Sequence, residues 1–314
     1  MPQLFTATLS PMLMMFICMV IGFILNKKKL SPENTTTVLS KLETYVFCPA
    51  LVINTFSKYC TVASLSQQYS LVLFSLLMVA IAVGVGYALS PLFTKKGYNR
   101  NIYRYALAFG NFGFMGNAIV PAIFGEEALY TYMLFTMPLQ LAVYSWGITI
   151  LIPKGEEKKN PLKNLLNPPV ISLVIGIMLG LTGTTRYLPD FVTSALSGLG
   201  ACMGPIAMVL TGFVIGNYPF KKLLSNPKVY IATFLRLFVI PAVYMLFLKL
   251  LGANETVLTM CLFAYATPLG LNTVVFPAAY GGDTSTGASM ATISHTLCVL
   301  TIPVMYMLLS TFLF

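Results

Sequence analysis

Two short stretches of this chain carry polar and glycine residues where an apolar helix would otherwise run on. The first is Gly110-Asn111-Phe112-Gly113-Phe114-Met115-Gly116-Asn117. The second is Ala266-Thr267-Pro268-Leu269-Gly270-Leu271-Asn272-Thr273. Interrupting a helix frees backbone N–H and C=O groups, and in lipid these must be satisfied by protein or by a water-filled cavity. Each new half-helix N-terminus carries positive partial charge, which suits a carboxylate. Asn111, Asn117, Asn272, Thr267 and Thr273 add side chains that can donate hydrogen bonds to an anion. Glycines alone would also serve close helix packing. Asparagine at both breaks is not something packing requires.

Ionisable residues inside apolar segments are the second source of chemistry, because they are rare there and functional by default. Glu43 and Lys41 lie in the second apolar run, toward one end, where snorkelling to the interface competes with a buried role. Arg236 has two readings: a partner for Glu43, or a side chain reaching an interface. His295 is the sole histidine, either a packed, hydrogen-bonded residue or a proton relay. Glu43, Arg236 and His295 are thus the candidates for coupling to a proton or sodium ion.

The elements that must position these groups are apolar runs. They are expected at Phe5–Leu25, Thr36–Phe56, Leu71–Phe93, Ile102–Phe124, Ala128–Leu151, Leu165–Gly183, Phe191–Phe213, Val229–Leu248, Val257–Tyr280 and Ser285–Leu313. Each is close to the 20 or so residues that cross a bilayer. The two breaks fall in the fourth and ninth. The first run lacks a preceding basic region and is followed by Lys27, Lys28 and Lys29, so it reads as a retained helix and not a cleaved signal.

Composition agrees. Only 9% of the 314 residues are charged and 57% are hydrophobic, whereas a soluble domain carries about a quarter charged residues. The net charge of +10 does not point to nucleic acid, because the cations sit in short clusters between apolar runs. Fourteen of the nineteen Lys and Arg residues fall in the connections after runs one, three, five and seven or, for Arg104, in the first turn beyond one. Those connections are expected to be cytoplasmic, which puts both termini outside the cytoplasm of a multi-pass cell-membrane protein.

The chain also repeats itself. At an offset of 157, Pro11 meets Pro168, Pro32 meets Pro189, Glu33 meets Asp190, Leu39-Ser40 meets Leu196-Ser197 and Phe56 meets Phe213. At 156, Pro121-Ala122-Ile123-Phe124-Gly125 meets Pro277-Ala278-Ala279-Tyr280-Gly281. Five spans per half place the second copy upside down relative to the first, the plan of many secondary transporters. The expected organisation is a first repeat over 1–153, a cytoplasmic connector at 154–164 and an inverted second repeat over 165–314.

Enzyme readings fail on inventory. The only aspartates, Asp190 and Asp283, lie at span ends. There is no HExxH, Ser/His constellation, paired-carboxylate motif or P-loop. The six cysteines lack any metal-binding spacing and read as small buried hydrophobes. No cofactor or metal is expected.

The two interrupted segments, followed by Phe124-Gly125 and Tyr280-Gly281, resemble the auxin efflux carrier family, which includes plant PIN exporters and bacterial permeases. The resemblance covers essentially the whole chain. It implies an all-α integral membrane protein of ten transmembrane helices in a five-plus-five inverted repeat. It implies a scaffold and a transport domain, with helices four and nine crossing at the substrate. The site would then comprise Asn111, Gly116, Asn117, Ala118, Thr267, Pro268, Asn272 and Thr273. The implied substrate is a small organic anion, auxin-like or malate-like, and a homodimer is a candidate assembly. The family's crossing prolines are replaced here by Ala118 and Thr273, and the long central loop of plant exporters by Lys154–Lys163, which points away from auxin itself. The alternatives are an ion-coupled symporter or antiporter of the bile-acid or sodium/proton type, and an intramembrane enzyme.

Overall fold

The computed structural model describes residues 2–95, 97–153, 166–279 and 282–313; the 154–164 connector, Lys96 and Tyr280-Gly281 lie outside the described residues. The described chain is helical, and its one β-type pairing is an isolated antiparallel bridge between Gly110 and Leu269.

The helices follow the apolar runs. They are α1 (Pro2–Lys27), α2 (Thr35–Tyr59), α3 (Val62–Phe93), α4 (Tyr98–Ala108), α5 (Phe112–Phe124) and α6 (Glu126–Leu151). The second half supplies α7 (Pro168–Thr182), α8 (Asp190–Gly216), α9 (Pro227–Leu250), α10 (Glu255–Tyr265), α11 (Asn272–Ala279) and α12 (Ser285–Phe312). Among the described residues, seven helices are long and apolar enough to cross a membrane: α1 from Phe5, α2, α3, α6, α8, α9 and α12. The α5, α7 and α10 helices are apolar but shorter.

Local chemistry sets the helix ends. Thr61 and Ser64 form a reciprocal capping box at the start of α3. Asn167 and Asn254 accept from Val170 N–H and Val257 N–H at the starts of α7 and α10, so orphan donors are closed by side chains. The interrupted helices end differently. The α4 helix stops at Ala108 and α10 at Tyr265, and after each the chain leaves helical geometry before α5 and α11 begin.

Among the described residues, four helices carry a single wider turn with i→i+5 hydrogen bonds: Glu43–Phe47 in α2, Phe112–Gly116 at the start of α5, Val143–Gly147 in α6 and Leu235–Val239 in α9. Such turns rotate the side chains beyond them to a new face and are frequent at functional sites. Two of them hold Glu43 and Arg236.

The helices pack in two groups. One group is built by α1 on α8, α8 on α2 and α2 on α7; α3, α4, α6, α9, α10 and α12 make the second, which includes α5 and α11, and α1 also lies along α12. Small residues permit the close contacts. A Cβ on Gly212 of α8 would overlap the Met19 carbonyl of α1, so glycine there lets the two backbones touch.

Candidate functional site

The two breaks meet. Asn111 N–H donates to the Pro268 carbonyl at 2.8 Å, and Gly110 bridges Leu269. Leu269 N–H donates to Ser294 Oγ of α12 at 3.0 Å, and Ser294 in turn donates to the Met290 carbonyl. Backbone groups freed by the interruptions are thus taken up by the opposite break and by α12, as lipid surroundings demand.

Tyrosines close the rest. Tyr132 Oη of α6 lies 3.0 Å from the Phe112 carbonyl and 3.3 Å from the Phe263 carbonyl, tying α5 to α10. Asn272 Nδ2 donates to Tyr105 Oη at 2.7 Å. His295 Nδ1 lies 2.8 Å from the Ala291 carbonyl, which can only accept, so Nδ1 carries the proton. His295 Nε2 then accepts from Asn111 Nδ2 at 2.9 Å, which fixes the orientation of the Asn111 amide.

A cavity of about 130 Å³ sits against this crossing, roughly tenfold the space one water needs. Asn111, Asn117 and Asn272 all line it, with Gln140, Thr136 and Ser40 as further polar groups. Among the described residues no Lys, Arg, Asp or Glu lines it. Phe112, Gly113 and Phe114, the first residues of α5, also face it. The first intrahelical bond there is from Met115 N–H to the Asn111 carbonyl, so the N–H groups of residues 112–114 are the orphan donors of a helix start. Across the cavity stand Ser40, Thr44 and Cys48 of α2, Leu173 of α7, and Met203 and Leu210 of α8. The cavity therefore lies between the two packing groups.

It continues toward one end of the molecule. Ser40 and Val275 are shared with a second space lined by Thr36, Lys41, Asn217 and Tyr218. Thr36 and Asn217 are shared with a third, lined by Lys27 and Lys29. On the opposite side of the crossing lies a separate cavity of about 200 Å³, lined by Asn54, Asn117, Ala118, Glu126 and Ser197. Asn117 belongs to both cavities, and its Oδ1 has no hydrogen-bond partner among the described residues.

The other expected site residues are placed elsewhere. Thr267 and Thr273 are buried and donate to the Ala264 and Gly270 carbonyls of their own turns. Thr267, Pro268, Thr273 and Gly116 build the crossing without lining the cavity, and Ala118 faces the opposite one. Sequence reading missed Tyr105, Tyr132 and Ser294. Each sits in an uninterrupted stretch of helix, where nothing local distinguishes it from an ordinary core residue.

A Glu43–Arg236 pair is not formed. Among the described residues both Glu43 carboxylate oxygens are buried without a hydrogen-bond partner, and the residue is 1% exposed, so snorkelling also fails. Arg236 is 0% exposed and does not reach an interface. Its Nη1 donates to the Leu107 and Ala108 carbonyls at 3.2 Å each, and its Cζ stands 5.5 Å from the Tyr265 ring. The guanidinium thus caps the C-terminal end of α4, where carbonyls lack helical partners and carry negative partial charge.

The family model described as membrane transport protein matches residues 7–306. The chain belongs to this family. It is the auxin efflux carrier family that the two interrupted motifs resemble. The chain is 23% identical over 294 residues to an uncharacterized transporter of Methanocaldococcus jannaschii, covering 92% of this chain and 95% of that one. It is also 21% identical over 224 residues to an uncharacterized transporter of Methanothermobacter thermautotrophicus, covering 70% and 72%. This member of the membrane transport protein family is accordingly a multi-pass membrane transporter with a small-molecule substrate in a lipid environment, and not an enzyme.

Proposed function

We propose that this transporter is a secondary carrier of a small organic anion, a carboxylate, that alternates access by an elevator-like movement. The observation that carries the reading is the cavity at the crossing. Three asparagine amides and the open start of α5 converge there, and among the described residues no carboxylate lines it. Neutral donors and a helix N-terminus can hold a carboxylate while binding it weakly enough to release it.

The proposed frame is the ten-span, five-plus-five inverted repeat, with 1–153 and 165–314 as its copies. Each packing group draws helices from both halves of the chain. In this frame α1, α2, α7 and α8 are the scaffold, and the helices around the crossing move against it. The cavity between the groups is where such sliding would carry a substrate. Its continuation toward Lys27, Lys29 and Lys41, on the side rich in cations, corresponds to access from the cytoplasm under the positive-inside rule. Both termini would then be extracytoplasmic, in the cell membrane.

A second reading, in which transport is coupled to a proton or sodium ion, is favoured by the isolated Glu43 carboxyl. A carboxyl group inside a membrane protein is expensive and retained for a reason.

A thermal-shift screen of the purified protein against a panel of carboxylates tests the substrate class, since a ligand of the native state stabilises it by mass action. Asn111→Leu, Asn117→Leu and Asn272→Leu should each insert and purify, with some loss of stability where a bond to His295 or Tyr105 goes, yet lose about 1.5–3 kcal/mol of binding to a charged ligand, or roughly tenfold to hundredfold in affinity. Two of the three transporting as well as the parent would remove the crossing as the substrate site.

A further inference from the structure

We propose that the buried guanidinium of Arg236 sets the charge selectivity of the crossing, making the cavity favour an anion over a neutral molecule of the same shape without touching either. The inference rests on the organic-anion reading above and names the group that enforces it.

The side chains lining the cavity do not discriminate charge by themselves, and the start of α5 carries only a partial positive charge. Asparagine amides and a threonine or serine hydroxyl bind a neutral carboxamide as well as a carboxylate. A fixed positive charge nearby would break that tie. Arg236 supplies one. The ionisable groups close enough to interact with it are Tyr105, Tyr132, Tyr244, Tyr265 and Cys261, with no carboxylate among them. Its Nε and Nη2 have no acceptor among the described residues. A buried arginine usually stands opposite a carboxylate, because an uncompensated charge in low dielectric is costly. Here the carbonyl end of α4 offsets the charge only in part.

One backbone residue separates this charge from the cavity. Gly110 lines the cavity, and a Cβ built on Gly110 would lie 2.7 Å from Arg236 Nη2. The guanidinium and Thr267 together occupy the space that a side chain at 110 would take. The guanidinium presses against the wall of the cavity from behind. Across so short a path through protein the field of a unit charge is little screened by salt, and it changes anion affinity by about tenfold or more.

The test uses matched probes that differ in charge: phenylacetate with phenylacetamide, and succinate with succinamide. Binding is measured by calorimetry on the purified full chain, on R236Q and on R236K, each first checked for a monodisperse, cooperatively unfolding preparation. The parent should prefer each acid to its amide. R236Q should lose about tenfold in acid affinity and keep its amide affinity, and R236K should retain the preference. A purely structural role for Arg236 would lower both affinities together. R236Q keeping the acid preference overturns the proposal. If R236Q does not fold, the deciding arm is the K27Q/K29Q/K41Q triple variant, with the parent measured from low to high salt. Preference that survives both supports a buried source of charge, and preference lost in either overturns it. A parent that binds acid and amide equally sinks this inference but leaves the cavity as a binding site. A parent that binds neither removes the substrate reading and this one with it.

Discussion

The backbone N–H of Asn111 donates to the carbonyl of Pro268 across 2.8 Å, so the two helix breaks, far apart in the chain, satisfy one another. Neither break could sit in an apolar environment alone, since each would leave backbone groups unpaired. The crossing is therefore one structural unit, and substitutions at its supports should act on both helices.

His295 is such a support. His295→Leu would leave the Asn111 amide donor without its acceptor, at a cost of about 1–3 kcal/mol. His295→Gln offers a carbonyl in a similar place and should cost less. Thermal unfolding in detergent is the measurement. A leucine variant as stable as the parent would show that the Asn111–His295 bond contributes nothing, and a glutamine variant as damaged as the leucine one would show that reach matters more than the acceptor.

Gly116 and Tyr132 should be coupled. A Cβ on Gly116 would overlap the Tyr132 hydroxyl and ring carbon, and overpacking of this kind costs about 1–3 kcal/mol. Tyr132→Phe removes the nearest clashing atom, together with its contacts to the Phe112 and Phe263 carbonyls. In a double-mutant cycle, Gly116→Ala should therefore destabilise less in the phenylalanine background than in the parent. Additive effects would mean the helices part without regard to the hydroxyl.

Glu43 gives two linked expectations. Because neither carboxylate oxygen has a partner among the described residues, replacement by methionine should raise stability, by about 1–3 kcal/mol if the present burial goes uncompensated. Glu43→Gln should still bind substrate in the thermal-shift assay but transport it independently of pH, if this carboxyl carries the coupled proton. Unchanged pH dependence in reconstituted vesicles would assign coupling elsewhere.

Orientation is checked by labelling. Single cysteines at Lys28 and Lys221 should be protected from an impermeant thiol reagent in intact cells, and cysteines at Arg186 and Asn254 should react, after Cys202, the exposed native thiol, is replaced. The reverse pattern would invert the arrangement inferred from the cation distribution.

Much of the frame was legible from the chain. Hydropathy is a local property, and a stretch such as Leu71–Phe93 must be a helix wherever it ends up, because lipid leaves its backbone no other partner. The breaks were legible for the same reason: Gly110-Asn111 and Thr267-Pro268 cannot continue an apolar helix cheaply. So were the asparagines, and Asn111, Asn117 and Asn272 do face one cavity.

What faces what was not legible. Thr267 and Thr273 have the same chemistry as a ligand-binding hydroxyl, yet both spend it on their own turns. Tyr105 and Tyr132 look like core residues in sequence and become the clasps of the crossing. Glu43 and Arg236 carry opposite charges, and sequence alone allowed them to pair. Each lies on a wider helical turn, which rotates the side chains of its helix off the regular 3.6-residue phase. Helix phase and the identity of the opposing helix are set only when all the helices pack. That packing left Glu43 without a partner and put Arg236 on the carbonyls of Leu107 and Ala108. The amino-acid order dictates which segments enter the membrane and where they break; side-chain direction around each axis follows from tertiary contacts, because a helix buries whichever face its neighbours offer to cover.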